Sequence, residues 1–162
     1  FETIPWDTDT PLTLRVTYAA GWNLVGVPRW TFLRSGVDLN GAAVGAVGPI
    51  YGVQSGESGY LTQPPSMTPE PGMGYWVYFG TPTLVSLSAS GPQSIDLPLP
   101  VDQFVMIGNP GESQAEVSGA DVVYAYDATT GTYQQTTTLD PGQGAWAYSS
   151  SGATVALTSA AP

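Results

Sequence analysis

Two stretches of the chain nearly repeat one another, PGMGYWVY at residues 71–78 and PGQGAWAY at residues 141–148. Further blocks recur around them in the same order. These are WNLVGVP (22–28) with FVMIGNP (104–110), IYGV (50–53) with VYAY (123–126), Tyr60 with Tyr133, and LVSL (84–87) with TVAL (154–157). Self-similarity of this kind indicates a duplicated structural unit. We therefore divide the chain into an extended N-terminal segment (1–10), a first repeat (11–90) and a second repeat (91–162).

Each repeat is predicted to form short β-strands, because apolar residues alternate with a period near two and the runs are rich in β-branched and aromatic side chains. The predicted strands are Leu12–Val16, Trp22–Val27, Ile50–Val53, Gly59–Thr62, Gly74–Phe79 and Thr83–Ser88 in the first repeat, and Ser94–Leu99, Gln103–Gly108, Val122–Tyr126, Gly131–Thr136, Gly144–Tyr148 and Thr154–Thr158 in the second. Turn signals separate the runs. The fold class is all-β, with two duplicated β-sandwich or barrel-like repeats of about six short strands each.

Two finer expectations concern a helical turn and the direction of the core. Ser113 followed by Glu116 resembles a capping box, which predicts a single helical turn over residues 111–117. The aromatic face that the two copies share is predicted to point inward, because two copies should build similar interiors. This places Trp76, Tyr78, Trp146 and Tyr148 in the core, together with Trp22, Leu24, Phe104 and Met106.

The blocks resemble a tandem repeat found in prokaryotic cell-surface and secreted proteins. Its form is a GWNLVG-x-P strand, a YxYDxxTGxY hairpin and a PGxGYWV strand. The first repeat carries the first and third elements at residues 21–28 and 71–77, and the second carries the hairpin at residues 124–133. The resemblance implies a surface or secreted module and transfers no catalytic residue.

Composition excludes several kinds of chemistry. The chain has no Cys, His or Lys, so Cys- or His-dependent triads, thiolate or imidazole metal sites and lysine-dependent sites are absent. A net charge of -10 disfavours nucleic acid and anionic membranes. No run of 18 apolar residues exists, so no membrane insertion is expected. The chain starts at Phe1 without a start Met, which favours a processed, extracellular or cell-surface protein.

Carboxylates leave two alternatives open. A carboxylate-pair glycoside hydrolase needs only Asp and Glu, but the 13 present are scattered, mostly in turns. Asp127, Thr129 and Gly131 resemble part of a calcium loop but lack its alternating carboxylates and terminal Glu, so a hairpin turn is favoured. We expect no enzymatic activity, no cofactor and no metal.

Two non-enzymatic functions remain. The leading hypothesis is a structural subunit of a filament, pilus or surface layer, which self-assembles with identical subunits by β-strand addition. The apolar residues of its candidate inserted segment are Phe1, Ile4, Trp6, Leu12, Leu14 and Val16. The alternative is a carbohydrate-binding or adhesion module that stacks glycans on exposed aromatic rings. Its candidate residues are Trp30, Tyr60 and Tyr75.

Overall fold

The described part of the chain consists of β-strands and their connections and contains no helix, which confirms the predicted all-β fold class. The computed structural model describes residues 12–26, 49–53, 58–63, 70–89 and 93–160. The first repeat contributes β1 (Leu12–Tyr18), β2 (Gly21–Gly26), β3 (Ile50–Gly52), β4 (Leu61–Gln63), β5 (Gly74–Phe79) and β6 (Thr83–Ala89). The second contributes β7 (Gln93–Leu99), β8 (Gln103–Gly108), β9 (Ala115–Ser118), β10 (Val122–Asp127), β11 (Thr132–Gln135), β12 (Thr138–Leu139), β13 (Gly144–Ser149) and β14 (Ala153–Ser159).

Each repeat is a sandwich of two antiparallel sheets. In the first repeat, β1 pairs with β6, and this pair packs on a four-stranded sheet of order β2-β5-β3-β4. In the second repeat, the sheets have the orders β12-β9-β14-β7 and β11-β10-β13-β8. The strand pairs correspond, since β5 lies against β2 as β13 lies against β8. The duplication seen in the sequence is therefore a duplication of architecture.

All twelve predicted strands overlap an observed strand, but the second repeat holds two more. The strand β9 occupies the stretch for which a helical turn was predicted, and that prediction is wrong. Ala115 and Val117 are buried while Glu116 and Ser118 are exposed, which is the period of a strand. The Ser113 hydroxyl bonds to the chain near Ser159 and does not cap a helix.

The prediction of the core face is wrong for its aromatic residues, although Leu24 and Met106 are buried as predicted. On β5 the side chains of Tyr75, Val77 and Phe79 are buried against the sheet of β1 and β6, whereas Tyr78 on the opposite side is 38% exposed. On β13 the buried hydrophobic residues are Ala145 and Ala147. The face that differs between the copies therefore builds the interior, and the shared aromatic face points away from it.

Four glycines join the repeats through reciprocal contacts, which we call the repeat seam. The amide of Gly26 donates to the carbonyl of Gly142 at 3.0 Å, and the amide of Gly108, which corresponds to Gly26, donates to the carbonyl of Gly72 at 2.8 Å. Two isolated β-bridges show the same reciprocity. Val25 of β2 pairs with Gln143 in the turn before β13, and Ile107 of β8 pairs with Met73 in the turn before β5. An approximate two-fold axis therefore relates the two repeats.

Part of the segment expected to insert into a neighbouring subunit belongs to its own chain. Leu12 and Leu14 lie in β1, which pairs along its whole length with β6 of the same repeat. Val16 packs against the first repeat's core. These residues are thus committed to an intrachain strand. Phe1, Ile4 and Trp6 lie outside the described residues, so their part in assembly stays a prediction.

Candidate functional site: a duplicated aromatic face

The outer surfaces of the sheets β2-β5-β3-β4 and β11-β10-β13-β8 carry the aromatic side chains that point away from the two cores. We call this surface the aromatic face. Its members are Trp22, Tyr51, Tyr60, Trp76, Tyr78, Phe104, Tyr124, Tyr126, Tyr133, Trp146 and Tyr148. Strand alternation puts those of β2, β5, β8, β10 and β13 there, because buried residues alternate with them along these strands. Several are among the most exposed large apolar residues, Tyr60 at 56% and Tyr133 at 52%.

A first pocket opens on this face and encloses about 420 Å³. Its lining consists of Trp22, Tyr51, Tyr60, Trp76, Tyr126 and Tyr133. Edge-to-face contacts fix the rings, since Trp22 meets Trp76 at 6.4 Å and 87° while Tyr51 meets Tyr60 at 6.4 Å and 82° between centroids and planes. Such packing is the favoured geometry of aromatic pairs. The pocket walls are therefore held in place before any ligand arrives.

A second pocket of about 310 Å³ repeats the first in the other half of the molecule. Its lining is Phe104, Tyr124, Tyr133 and Trp146. In the alignment of the repeats these positions correspond to Trp22, Tyr51, Tyr60 and Trp76. The duplication has thus kept the same four pocket positions aromatic in both copies. The one change of size among the four is a Phe where the first repeat has a Trp.

The two pockets adjoin one another across the repeat boundary. Tyr133 lines both of them. Tyr60 of the first pocket contacts Trp146 of the second at 6.2 Å, and Trp76 contacts Tyr126 at 4.9 Å. Beneath these rings, Leu24 and Met106 are buried with Val53. Both were predicted to be buried, and both are, in a separate cluster where the repeats meet.

Burial raises the pKa of the Tyr133 phenol, and a hydrogen bond with the Trp146 side chain partly opposes this rise. The phenol therefore stays protonated at neutral pH. Because a neutral phenol both donates and accepts hydrogen bonds, Tyr133 presents a polar group at the boundary between two apolar pockets.

A third cleft, the Asp102 cleft, adds polar groups beside the second pocket. It encloses about 520 Å³, and its lining includes Ser58, Tyr60, Asp102, Gln103, Phe104 and Trp146. Asp102 has a positive φ of 53°, a backbone conformation uncommon outside glycine. Its carboxylate accepts a hydrogen bond of 2.8 Å from the Tyr148 hydroxyl, and this bond is the main reason that the pKa of Tyr148 is raised. A fixed carboxylate thus lies at the edge of the aromatic face.

The three residues proposed for glycan stacking have different positions. Tyr60 lies on the aromatic face and lines the first pocket. Tyr75 is buried at 1% exposure, with its hydroxyl accepting a hydrogen bond from the Glu70 amide, so it cannot stack on a ligand. Trp30 lies outside the described residues. Sequence reasoning missed Trp22, Trp76 and Trp146 as surface residues because it had assigned them to the core.

The loop around Asp127 has the geometry of a hairpin turn. The Asp127 carboxylate accepts a hydrogen bond of 2.8 Å from the Thr129 amide, and Gly131 has a φ of 69°. These backbone hydrogen bonds lower the pKa of Asp127. Within the described ranges, no group of three or more acidic residues is arranged to hold a metal ion. In the same part of the chain, no helix has the length and apolar character needed to cross a membrane.

Comparison of the chain with protein-family models, with curated proteins and with solved structures finds no match. The geometry of the aromatic face is therefore what bears on function.

Proposed function

We propose that this protein is a non-enzymatic carbohydrate-binding module that holds neutral glycans on its aromatic face. The observation that carries the proposal is the duplicated pocket, in which four equivalent positions are aromatic in both repeats. A sugar ring has apolar faces of C–H groups that stack on aromatic rings, and both pocket volumes fall in the range of roughly 300–1,000 Å³ that is usual for ligand sites.

Charge restricts the class of glycan. No charged residue is among the described residues that line either pocket, and the chain carries a net charge of -10. A polyanionic glycan would be repelled by this net charge and would find no cation among the described residues that line the pockets. Neutral hexose or pentose chains fit these conditions.

The Asp102 cleft favours a sugar over a proline-rich peptide, the other polymer that aromatic grooves commonly bind. A carboxylate accepts hydrogen bonds and needs donors. A proline-rich strand offers mainly carbonyl acceptors, because proline has no N–H group. Adjacent sugar hydroxyls can donate hydrogen bonds in pairs. They can therefore bind the Asp102 carboxylate in addition to the hydrogen bond that it accepts from the Tyr148 hydroxyl.

An extracellular or cell-surface location accords with this proposal, since polymeric neutral glycans are encountered there. Assembly into a filament stays a separate prediction that depends on Phe1, Ile4 and Trp6. Deleting residues 1–10 distinguishes the two functions, because a glycan-binding module keeps its affinity and a strand-exchanging subunit stops assembling.

Binding should be measured by isothermal titration calorimetry with hexasaccharides of β-1,4-glucan, β-1,3-glucan, α-1,4-glucan, β-1,4-mannan and β-1,4-xylan. The test variant is Trp22→Ala, which removes one wall of the first pocket. The control is Leu84→Ala, which removes an apolar side chain of 57% exposure on β6, in the sheet on the other side of the core. We expect Trp22→Ala to weaken binding by about tenfold or more, equivalent to about 1.4 kcal/mol, and Leu84→Ala to leave it unchanged.

Urea unfolding of both variants checks that the loss is local, and Trp22 is suited to this because it is 44% exposed. The proposal is wrong if the natural sequence binds none of the five hexasaccharides. It is also wrong if binding occurs and Trp22→Ala and Phe104→Ala both leave it intact.

A further inference from the structure

The arrangement of the pockets bears on the length of the ligand. Only one layer of rings separates them, because Tyr133 lines both and Tyr60 lines the first while contacting Trp146 of the second. Tyr60 and Tyr133 are equivalent positions in the two repeats, and at 56% and 52% exposure both rise from the face. A ligand leaving the first pocket therefore passes over one of these two tyrosines and enters the second.

We propose, on the basis of the glycan-binding function above, that the two pockets form one continuous site for a single extended glycan chain. A short sugar would occupy either pocket alone. A longer chain fills both and crosses the repeat seam. The pocket is duplicated to match a ligand that is itself repetitive.

Three observations favour one long ligand over two independent short ones. The pockets share a wall, so occupation of one fixes a ring that the other uses. The rings are linked across the boundary by the Trp76–Tyr126 and Tyr60–Trp146 contacts. The repeat seam is made of backbone hydrogen bonds, which hold the spacing of the pockets constant. A rigid spacing is what allows two weak contacts to add within one ligand.

The two-fold relation adds a second property. The axis relates the two pockets, which lie on one common face. A glycan chain that runs from the first pocket to the second therefore meets equivalent residues in the reverse order as it passes through the second. Reversing the chain exchanges the pockets and keeps most of the contacts. The site therefore recognises the interior of a glycan, where no end group is required. Two differences separate the two directions. Phe104 replaces Trp22, and Tyr126, which lines the first pocket, stands where the first repeat has Val53.

Titration calorimetry with a disaccharide and a hexasaccharide of the same linkage tests the proposal. We expect two disaccharides per chain and one hexasaccharide per chain, the hexasaccharide binding at least about tenfold more tightly because its second contact is intramolecular. Trp22→Ala and Phe104→Ala should each reduce the disaccharide stoichiometry from two to one. Each should also lower the hexasaccharide affinity towards that of a disaccharide.

Alternative outcomes are distinct. Independent pockets would bind two hexasaccharides per chain with the affinity of the disaccharide, and this result would overturn the continuous site while leaving glycan binding intact. Binding of a decaproline peptide in place of every glycan would overturn both proposals. Leu84→Ala serves again as the control, and it should change neither stoichiometry nor affinity.

Discussion

Replacing Gly26 by alanine should break the repeat seam. A Cβ atom at this position would lie 2.5 Å from the amide nitrogen of Asn109, 2.5 Å from the carbonyl oxygen of Gln143 and 2.7 Å from the Cα of Gly108. All three are backbone atoms of the second repeat. No side chain can rotate to relieve the overlap, so β2 and the second repeat must move apart.

The cost can be estimated from the contacts that this movement changes. Overpacking in a rigid environment costs about 1–3 kcal/mol. The displacement also weakens the two hydrogen bonds of the repeat seam, from the Gly26 amide to the Gly142 carbonyl and from the Gly108 amide to the Gly72 carbonyl, each worth about 1 kcal/mol. The free energy of unfolding should therefore fall by about 3–5 kcal/mol. For a chain of this length that corresponds to a melting temperature lower by about 6–20 °C.

Urea unfolding followed by tryptophan fluorescence measures the loss. The matched control is Gly59→Ala, because a Cβ at Gly59 would meet nothing within 4 Å. We expect the control to stay within about 0.5 kcal/mol of the natural sequence. A Gly26→Ala protein as stable as Gly59→Ala would refute the reasoning, since it would mean that the two backbones do not approach closely at this point.

Two further predictions concern pH. Burial raises the pKa of Tyr75 from 10.0 to about 12. Because the phenol ionises more easily in the unfolded chain, the free energy of unfolding is unaffected by this group below about pH 10 and falls as the pH rises towards 12. Urea midpoints should fall over that interval, and less steeply in Tyr75→Phe; identical slopes would contradict the assignment. Hydrogen bonds from the Ser150 amide and hydroxyl, both 2.7 Å, lower the pKa of Asp121 below 3.8. The stability that this carboxylate adds is present above its unfolded pKa and is lost as the pH falls through its lower folded pKa. By the same assay, the free energy of unfolding of Asp121→Asn should therefore decrease less between about pH 6 and pH 2 than that of the natural sequence. An equal decrease in both proteins would contradict this role of Asp121.

The strands and the duplication could be predicted from the sequence because they depend on local patterns. The period-two runs located β5 and β13 to within a residue, and the repeated PGxG turns marked where both begin. The strand β9 escaped prediction because Ala115 and Val117 are only two apolar positions, and the Ser113–Glu116 spacing also fits a helix start.

The direction of the core could not be read from alternation. In β5 both faces are apolar, with Tyr75, Val77 and Phe79 on one side and Trp76 and Tyr78 on the other. A period of two separates the faces without saying which of them is covered. Pairing with the second sheet decides that, and the information lies in distant residues such as Val16 and Leu97 that pack on this core.

A signal for the site was nevertheless present in the duplication. Interior residues are free to change when their packing partners change with them, as Tyr75 and Val77 against Ala145 and Ala147 show. Positions kept aromatic in both copies while pointing outward contact one another on the surface and take no part in the core of their own sandwich. The retained pairs are 22 and 104, 51 and 124, 60 and 133, 76 and 146, and 78 and 148. Identity between copies on one strand face was thus a mark of the site and not of the interior.

The exchanged hydrogen bonds between Gly26 and Gly142 and between Gly108 and Gly72 have a consequence for the origin of the chain. A surface that both donates and accepts in this mutual way is self-complementary, as in an isologous homodimer. A single ancestral half of this kind pairs with its own copy, and fusion of two halves turns that association into an intramolecular one with a high local concentration. Once the halves are tethered, neither has to pair with an identical copy, and the two are free to diverge, as their larger and smaller pockets have done.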